Sequence, residues 1–245
     1  MTPEPASGLR VSHVSYSYGS KEALQDVSFS VARHRFCALL GPNGAGKSTL
    51  FALLTRLFVS PDGRIEVAGI DLARTPRAAL ARIGVVFQQP TLDLELTVRR
   101  NLTYFAALHG LTGRAAAQRI DAALERLDMR ERAGERAREL NGGHRRRTEI
   151  ARCLIHNPEV ILLDEPTVGL DAASRRAITD YVHRLCEEDG LTVLWATHLV
   201  DEVKPQDQLL ILHRGRILAE GLAAEVAGDR LLADAFLSMT AAEVS

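Results

Sequence analysis

The chain has 245 residues, of which 46% are hydrophobic, so it is long and apolar enough to bury a substantial core. Its apolar stretches are far shorter than the roughly 20 residues that cross a bilayer, and its N-terminus lacks a signal-like segment, so we expect a soluble, cytoplasmic chain without a membrane domain. A formal net charge of −1 argues against general attraction to nucleic acid or anionic lipid.

The N-terminal part predicts antiparallel strands. Apolar and polar residues alternate over 9–18 and 27–31, and the pattern continues over 64–67 after the turn Pro61-Asp62-Gly63. We therefore expect a small antiparallel β-subdomain, preceded by a flexible N-terminus over residues 1–8.

The segment 41–48 reads GPNGAGKS and fits the spacing of a phosphate-binding loop, G-x-x-x-x-G-K-[ST]. A predicted buried strand, 36–40, precedes it, and a predicted helix, 49–57, follows. Glycines let backbone N–H groups converge on phosphate oxygens, and the helix N-terminus adds its positive dipole end. We expect the lysine to reach the β- and γ-phosphates and the serine to ligate Mg²⁺. The candidate nucleotide-binding residues here are Gly41, Pro42, Asn43, Gly44, Ala45, Gly46, Lys47, Ser48 and, more weakly, Thr49.

Residues 97–140 predict helices, with Arg and Glu on one face and Leu, Ile and Ala on the other. The stretch 140–147, LNGGHRRR, follows them and precedes a helical pattern over 148–155. Asn141 is a helix-capping residue type, and with Gly142 and Gly143 it predicts backbone N–H groups aimed at an anion. We expect residues 145–147 to form a helix surface at a subunit or lipid-proximal interface.

The apolar run 160–163 predicts a buried parallel strand that ends in two carboxylates, Asp164 and Glu165. Asp164 suits water-mediated coordination of Mg²⁺, and Glu165 suits polarisation of the water that attacks the γ-phosphate. The alternative is an acidic strand end that faces solvent.

The C-terminal third continues with an apolar run, 191–196, that leads into Thr197 and His198. A strand over 209–212 and a hairpin through 214–215 into 217–219 are predicted to end the sheet, and 221–245 is mostly helical in composition. The cysteines are isolated in apolar or helical patterns, so we expect buried thiols in a reducing compartment and no metal site; they are Cys37, Cys153 and Cys186.

From residue 11 to residue 221 the order of these motifs resembles the nucleotide-binding subunits of ATP-binding cassette (ABC) transporters. The stretch 140–144 matches the family signature, usually Leu-Ser-Gly-Gly-Gln. Gln88 matches the Q-loop, Gly169-Leu170-Asp171 the D-loop, His198 the switch histidine, and Tyr18 the aromatic that stacks on adenine. The resemblance implies that Glu165, His198 and Gln88 are catalytic, that Ser48, Gln88 and Asp164 hold the metal, and that Asp171 acts across a subunit interface. A helix N-cap is the other reading of Asp171, and an ordinary strand or core aromatic is the other reading of Tyr18.

Two signature positions depart from the family pattern, with Asn141 in place of Ser and His144 in place of Gln. Asn caps a helix as well as Ser does, and its amide can donate to a phosphate oxygen, so the anion site should survive in altered form. His144 would be protonated more readily if it lay near phosphate, whereas a partly exposed histidine with no titrating role is the other reading.

The fold implied by the resemblance is α/β: a P-loop NTPase with a RecA-like parallel sheet core, an antiparallel β-subdomain and an inserted α-helical subdomain. The ABC ATPase domain would cover residues 9–221, with the helical subdomain at about 91–140 and a C-terminal helical extension over 222–245. The single-domain length and the stretch 162–171, LLDEPTVGLD, look most like the ATPases of ABC-2 type exporters.

The function implied is an ATP-hydrolysing subunit that binds ATP and Mg²⁺ and powers a separately encoded membrane permease. Its partners would be a second copy or a homologous ATPase, closing head to tail, and the permease, which would hold it at the cytoplasmic face of the inner (plasma) membrane. Neither nucleic-acid binding nor direct membrane insertion is expected. The alternatives are a soluble ABC ATPase that acts on DNA or ribosomes, and a kinase. The residues leave the substrate, the permease and the direction of transport open.

Overall fold

The computed structural model describes residues 7–241. The strands are β1 Ser7–Tyr18, β2 Lys21–Ala32, β3 Phe36–Leu40, β4 Arg64–Val67, β5 Ile70–Asp71, β6 Ile83–Val86, β7 Val160–Asp164, β8 Thr192–Thr197, β9 Gln208–His213 and β10 Arg216–Leu222. The helices are α1 Lys47–Leu54, α2 Pro76–Leu80, α3 Val98–Leu108, α4 Gly113–Arg126, α5 Gly142–Leu154, α6 Ala172–Asp189, α7 Ala223–Ala227 and α8 Leu232–Ala241. Short 3₁₀ turns form at Ala137–Glu139 and Val200–Glu202.

The larger sheet has the strand order β10-β9-β3-β8-β7-β6. Strands β9, β3, β8, β7 and β6 are parallel, and β10 adds an antiparallel edge through the predicted hairpin. Because β3, β7 and β8 are parallel neighbours, their carboxyl ends lie along one edge of the sheet. The phosphate-loop segment, the two carboxylates and His198 follow these three strands and therefore meet at that edge.

Both faces of this sheet are covered, which explains why its strands read as continuous apolar runs. In β3 the residues alternate between two packed clusters: Phe36, Ala38 and Leu40 face the cluster formed with α3 to α6, and Cys37 and Leu39 face the cluster formed with α1 and the smaller sheet. All five are buried. The parallel core of the P-loop NTPase fold is thereby confirmed.

The smaller sheet, of order β2-β1-β4-β5, is antiparallel as predicted. The predicted flexible N-terminus falls mainly on residues 1–6, which lie outside the described residues. For Ser7 and Gly8 the prediction was wrong, because both belong to β1. Gly8 packs so closely on β8 that an added Cβ would lie 2.4 Å from the Thr192 hydroxyl.

The helical predictions are confirmed in kind but shifted at their ends. Helix α1 begins at Lys47 and ends at Leu54, and α5 begins at Gly142 rather than near Thr148, because the Asn141 side chain caps it. Helices α3 and α4 fall within the stretch predicted to be helical, as α7 and α8 do in the C-terminal one; residues 242–245 lie outside the described residues. The proposed limits of 91–140 and 9–221 stay predictions.

Within residues 7–241, no helix is long and apolar enough to cross a membrane.

Candidate functional site

The turn between β3 and α1 leaves a helix N-terminus open. Gly44 and Gly46 have φ of 81° and 113°, in the left-handed region that favours glycine. No side chain caps α1 at Gly46, so its first N–H groups are available to an anion. A Cβ on Gly46 would also lie 2.8 Å from the Ala23 carbonyl oxygen, so the backbone of β2 itself requires glycine there.

Lys47 lies buried at the start of α1, with 5% of its surface exposed. Its ammonium donates to the carbonyl oxygens of Gly41, at 2.6 Å, and Pro42, at 3.1 Å. It also lies 3.1 Å from Glu165 Oε1. One cation therefore joins the glycine turn to the carboxylate that follows β7.

Asp164, the last residue of β7, is buried beside Ser48. Burial raises the pKa of its carboxyl, and the neighbouring charge of Glu165 raises it further, while Lys47 and a hydrogen bond from Ser48 act against that shift. Its Oδ1 is buried without a hydrogen-bond partner. A buried, orphaned carboxylate oxygen next to a serine hydroxyl fits a hard divalent cation such as Mg²⁺, which prefers oxygen ligands.

Glu165 is held between a lysine and a histidine. Its φ of 45° is unusual for a residue other than glycine, and its N–H donates to Ala196 O at 3.0 Å. His198 Nδ1 lies 3.2 Å from Glu165 Oε2, although the angle does not make a hydrogen bond. A carboxylate fixed in this way beside a basic group is suited to accept a proton from water.

Lys47, Ser48 and Glu165 border a cleft of about 630 Å³, within the range of small-molecule sites. Tyr18 lies at its rim with 48% of its surface exposed, packed edge-on against Tyr16 and Phe58. Tyr18 is thus a strand residue, the last of β1, and not a core aromatic; its stacking on adenine stays a prediction. The predicted site residues that line the cleft are Tyr18, Asn43, Gly44, Ala45, Gly46, Lys47, Ser48, Thr49, Gln88 and Glu165.

Four other predicted site residues, Asn141, Gly142, Gly143 and Asp171, form a second group at the N-termini of α5 and α6. Asn141 caps α5 by accepting from His144 N at 2.8 Å, and Asp171 caps α6 by accepting from Ser174 N at 2.8 Å. The helix-cap reading of Asp171 is therefore correct. A Cβ added to Gly142 would lie 3.0 Å from Leu170 Cδ2, so the two N-termini are in close contact. None of the described residues that line the cleft comes from this group.

His144 is half-buried at the start of α5. Burial lowers the pKa of its imidazole, and the positive charges of Arg132 and Arg147 lower it further, against a smaller effect of Glu135. Its own surroundings therefore favour the neutral ring, in line with the reading that it has no titrating role.

The prediction that residues 145–147 form an exposed interface was wrong for Arg146, which is only 6% exposed. Its guanidinium donates to Phe87 O at 2.7 Å and to Gln88 O at 2.9 Å, and it pairs with Glu149 at 2.8 Å. Burial lowers the pKa of this guanidinium. No motif in the sequence marks this contact, because the partners of Arg146 are main-chain carbonyls some sixty positions away.

Glu149 and Glu202 were also missed, and both are buried. Glu202 accepts from Trp195 Nε1 at 2.9 Å and from the Thr167 hydroxyl, so it ties the loop after His198 to the loop before Gly169. A polar or charged residue directly precedes each of them in the sequence, so no local pattern marks either carboxylate as buried.

Comparisons with known proteins agree with this geometry. The model of the ABC transporter family matches residues 24–168. A daunorubicin resistance ATP-binding protein of Streptomyces coeruleorubidus is 43% identical, over 87% of this chain and 69% of its own length. A Nod factor export ATP-binding protein of Rhizobium meliloti is 38% identical, over 89% of this chain and 65% of its own length.

Among solved structures, cbiO1 of Clostridium perfringens, part of an ABC transporter complex, superposes with a TM-score of 0.83 at 30% identity, covering 91% of this chain and 92% of that one. Fold, motif order and relatives agree, and the chain therefore belongs to the ABC transporter family, as an ATP-binding and ATP-hydrolysing subunit.

Proposed function

We propose that this chain hydrolyses Mg²⁺-bound ATP in a dimer and so drives export through a separate membrane permease. The observation that carries the proposal is the meeting of Lys47, Asp164, Glu165 and His198 at one sheet edge, beside an uncapped helix N-terminus. Positive charge, carboxylates and a histidine next to free N–H groups are what positioning and hydrolysis of a terminal phosphate require.

Each residue has a role in this proposal. The backbone of residues 41–49 and the Lys47 ammonium bind the phosphates, and Tyr18 stacks on the base. Glu165 accepts a proton from the attacking water, while His198, beside Glu165, contacts the γ-phosphate. Because the three donors of Lys47 are engaged with carbonyls and Glu165, phosphate must compete with those partners.

The metal would be held by Ser48 and Asp164, with Gln88 nearby at the rim of the cleft. The orphaned Oδ1 of Asp164 supports this assignment. Bound there, Mg²⁺ would neutralise phosphate charge and orient the terminal phosphate.

The second group of residues, 141–143 with Asp171, supports a shared site. None of these residues lines the chain's own cleft, so their N–H groups would serve an ATP held by another subunit. A twofold pair would place residues 41–49 of one copy against 141–143 of the other and bury two ATP molecules between them. Hydrolysis through Glu165 then permits reopening.

Transport is proposed from the relatives, which are named for drug resistance and for export. By similarity to them, the chain binds and powers a permease at the cytoplasmic face of the plasma membrane, as the ATPases of ABC-2 exporters do. Those relatives give no support to the DNA- or ribosome-directed alternative, nor to a kinase.

The test is ATP turnover per subunit as a function of protein concentration, for wild type and Glu165→Gln side by side. We expect wild-type turnover to rise with concentration, and Glu165→Gln to bind ATP, lose at least about a hundredfold in turnover and accumulate an ATP-dependent dimer.

Two outcomes would contradict the proposal. Undiminished turnover of Glu165→Gln would remove Glu165 from the catalytic role. Turnover that does not depend on concentration, in a persistent monomer, would remove the shared site. Co-purification of the tagged chain with a multi-span membrane protein tests the transport assignment separately.

A further inference from the structure

The segment of residues 87–91, here the Gln88 segment, follows β6 at the edge of the cleft and is gripped by one helix. At its first end the Arg146 guanidinium of α5 donates to the carbonyl oxygens of Phe87, at 2.7 Å, and Gln88, at 2.9 Å. A planar guanidinium can serve two carbonyls and a carboxylate at once, which a lysine ammonium on a flexible stem does far less well.

At its other end the segment is held by Glu149, nearly one turn further along α5. Glu149 Oε1 accepts from Thr91 N at 2.6 Å and from the Thr91 hydroxyl at 3.2 Å, and its Oε2 pairs with Arg146 at 2.8 Å. Arg152, a further turn on, donates to Thr91 O at 3.1 Å and to the Thr91 hydroxyl at 2.5 Å. Three side chains on one helix face thus hold both ends of the Gln88 segment.

Helix α5 carries a different function at its N-terminus. Gly142 and Gly143 open the helix, and Arg146 lies about one turn further on. Because a continuous helix from Gly142 to Leu154 moves as a rigid body, any shift of its glycine N-terminus also shifts Arg146 and Glu149, and with them the carbonyl of Gln88.

The ion pair of Arg146 and Glu149 is buried and is therefore not a surface contact. Arg146 is 6% exposed and Glu149 is 1% exposed, so neither charge is well solvated. Removing one partner of such a pair leaves an uncompensated buried charge. Such a pair fixes a geometry, here the position of the Gln88 segment on α5.

We propose that Arg146 and Glu149 are positioning residues that couple Gln88, at the chain's own nucleotide, to Gly142 and Gly143, which serve the partner's nucleotide. The proposal rests on the proposed function for the roles of Gln88 and the two glycines. It adds a physical link through α5, by which nucleotide bound in the chain's own cleft changes the position of Gly142 and Gly143 relative to the partner's nucleotide.

The test compares Arg146→Lys with Arg145→Lys. The first keeps a charge for Glu149 but cannot hold both carbonyls. The second is a matched control on the same helix, because the Arg145 side chain donates to Ala137 O and Arg138 O, outside the Gln88 segment. The measurements are the melting temperature, the Kd of a fluorescent ATP analogue, and kcat and KM for ATP.

We expect Arg146→Lys to keep its Kd within about twofold and to lose about tenfold in kcat, the size of effect of a lost hydrogen bond to a charged group. In a Glu165→Gln background it should also raise the ATP concentration for half-maximal dimer formation about fivefold or more. A merely structural role would lower the melting temperature without moving this split between Kd and kcat.

A kcat and a dimerisation midpoint that match those of Arg145→Lys would overturn the inference. Should Arg146→Lys fail to fold, Thr91→Val carries the test, because Thr91 is exposed and its loss loosens only one end of the segment. It should lower kcat about threefold at unchanged Kd, and an unchanged kcat would overturn the coupling. If Glu165→Gln without a second substitution stays monomeric in ATP, the proposal of a shared site is wrong. The comparison of kcat between Arg146→Lys and Arg145→Lys still tests whether Arg146 positions Gln88.

Discussion

At the scale of single residues, the charged side chains buried in this molecule each have an identifiable partner. Lys47 lies between two carbonyls and Glu165, Arg146 between two carbonyls and Glu149, and Glu202 between an indole and a hydroxyl. Burying a charge without such partners costs several kcal/mol, so the partners decide where the side chain can point. Asp164 Oδ1, which lacks a partner, stands apart from these and lies where a metal is expected.

Glu202 gives a first prediction at this scale. Glu202→Ala would leave the Trp195 N–H and the Thr167 hydroxyl without their acceptor in a buried site, and we expect a loss of about 2 kcal/mol in the free energy of unfolding. Urea unfolding followed by Trp195 fluorescence measures it. Glu202→Gln keeps one acceptor of similar shape and should lose clearly less; equal losses for the two variants would show that the hydrogen bonds do not matter.

The cysteines give a second prediction. Cys37, Cys153 and Cys186 are buried free thiols, and burial raises the pKa of Cys153 and of Cys186 to about 12. Because the thiolate is the nucleophile, we expect the folded chain at pH 8 to resist a maleimide and the chain unfolded in guanidinium to take up one adduct per cysteine. Intact mass measures both, and rapid labelling of the native chain would contradict the burial of these thiols.

At the scale of elements, the candidate site lies at the ends of helices and strands, and side-chain contacts fix these elements relative to one another. Helix α3 ends at Leu108 and is followed by His109, whose ring stacks on His156 with centroids 4.1 Å apart. His156 Nε2 lies 2.9 Å from Ile83 O at the start of β6. The pair thus fastens α3, and the segment after α5, to the edge strand of the larger sheet, at the end opposite to the Gln88 segment.

This join should be sensitive to pH. Burial lowers the pKa of His156 to about 4, with smaller lowering by His109 and Arg119, against the hydrogen bond to Ile83. An unfolded histidine titrates near 6.5, so between about pH 6.5 and 4 the unfolded state binds a proton that the folded state does not, and stability falls as pH falls.

The measurement is the melting temperature from pH 7 to pH 4. We expect His156→Gln to flatten the decline seen for wild type across the window of about pH 6.5 to 4. A wild-type slope retained in His156→Gln would mean that other groups govern the decline.

At the scale of the whole molecule, the larger sheet is a rigid platform packed on both faces. It brings Lys47, Gln88, Glu165 and His198 together from distant parts of the chain, each placed after a strand. Since the strands are held by two apolar clusters, the geometry of the candidate site depends on the core as a whole and not on any one loop.

This dependence gives a prediction for ligand-linked stability. ATP with Mg²⁺ should raise the melting temperature, as expected for about 2.7 kcal/mol of added stability at a ligand concentration of 100 Kd. Chelation of the metal should reduce the shift, and Lys47→Ala should abolish most of it. Differential scanning calorimetry measures the shifts, and a full shift in Lys47→Ala would show that the ligand binds elsewhere.

Much of the fold could be predicted because its signals are local. The glycines of the turn before α1, the apolar runs of β3 and β7 and the alternation of β1 reflect requirements that neighbouring residues impose on the backbone. The start of α5 was shifted because capping by the Asn141 side chain acts within a turn and outweighs the hydrophobic pattern.

The sequence by itself therefore determined the glycine turn before α1, the succession of predicted strands and motifs along the chain, and the resemblance to a family. Each of these depends on short stretches of adjacent residues. Only the tertiary structure decided that Arg146 is buried against the Gln88 segment, that Glu202 joins two loops, and that residues 141–143 and Asp171 lie apart from the cleft. These facts depend on which distant segments pack together, and a side chain's burial and partners are properties of that packing.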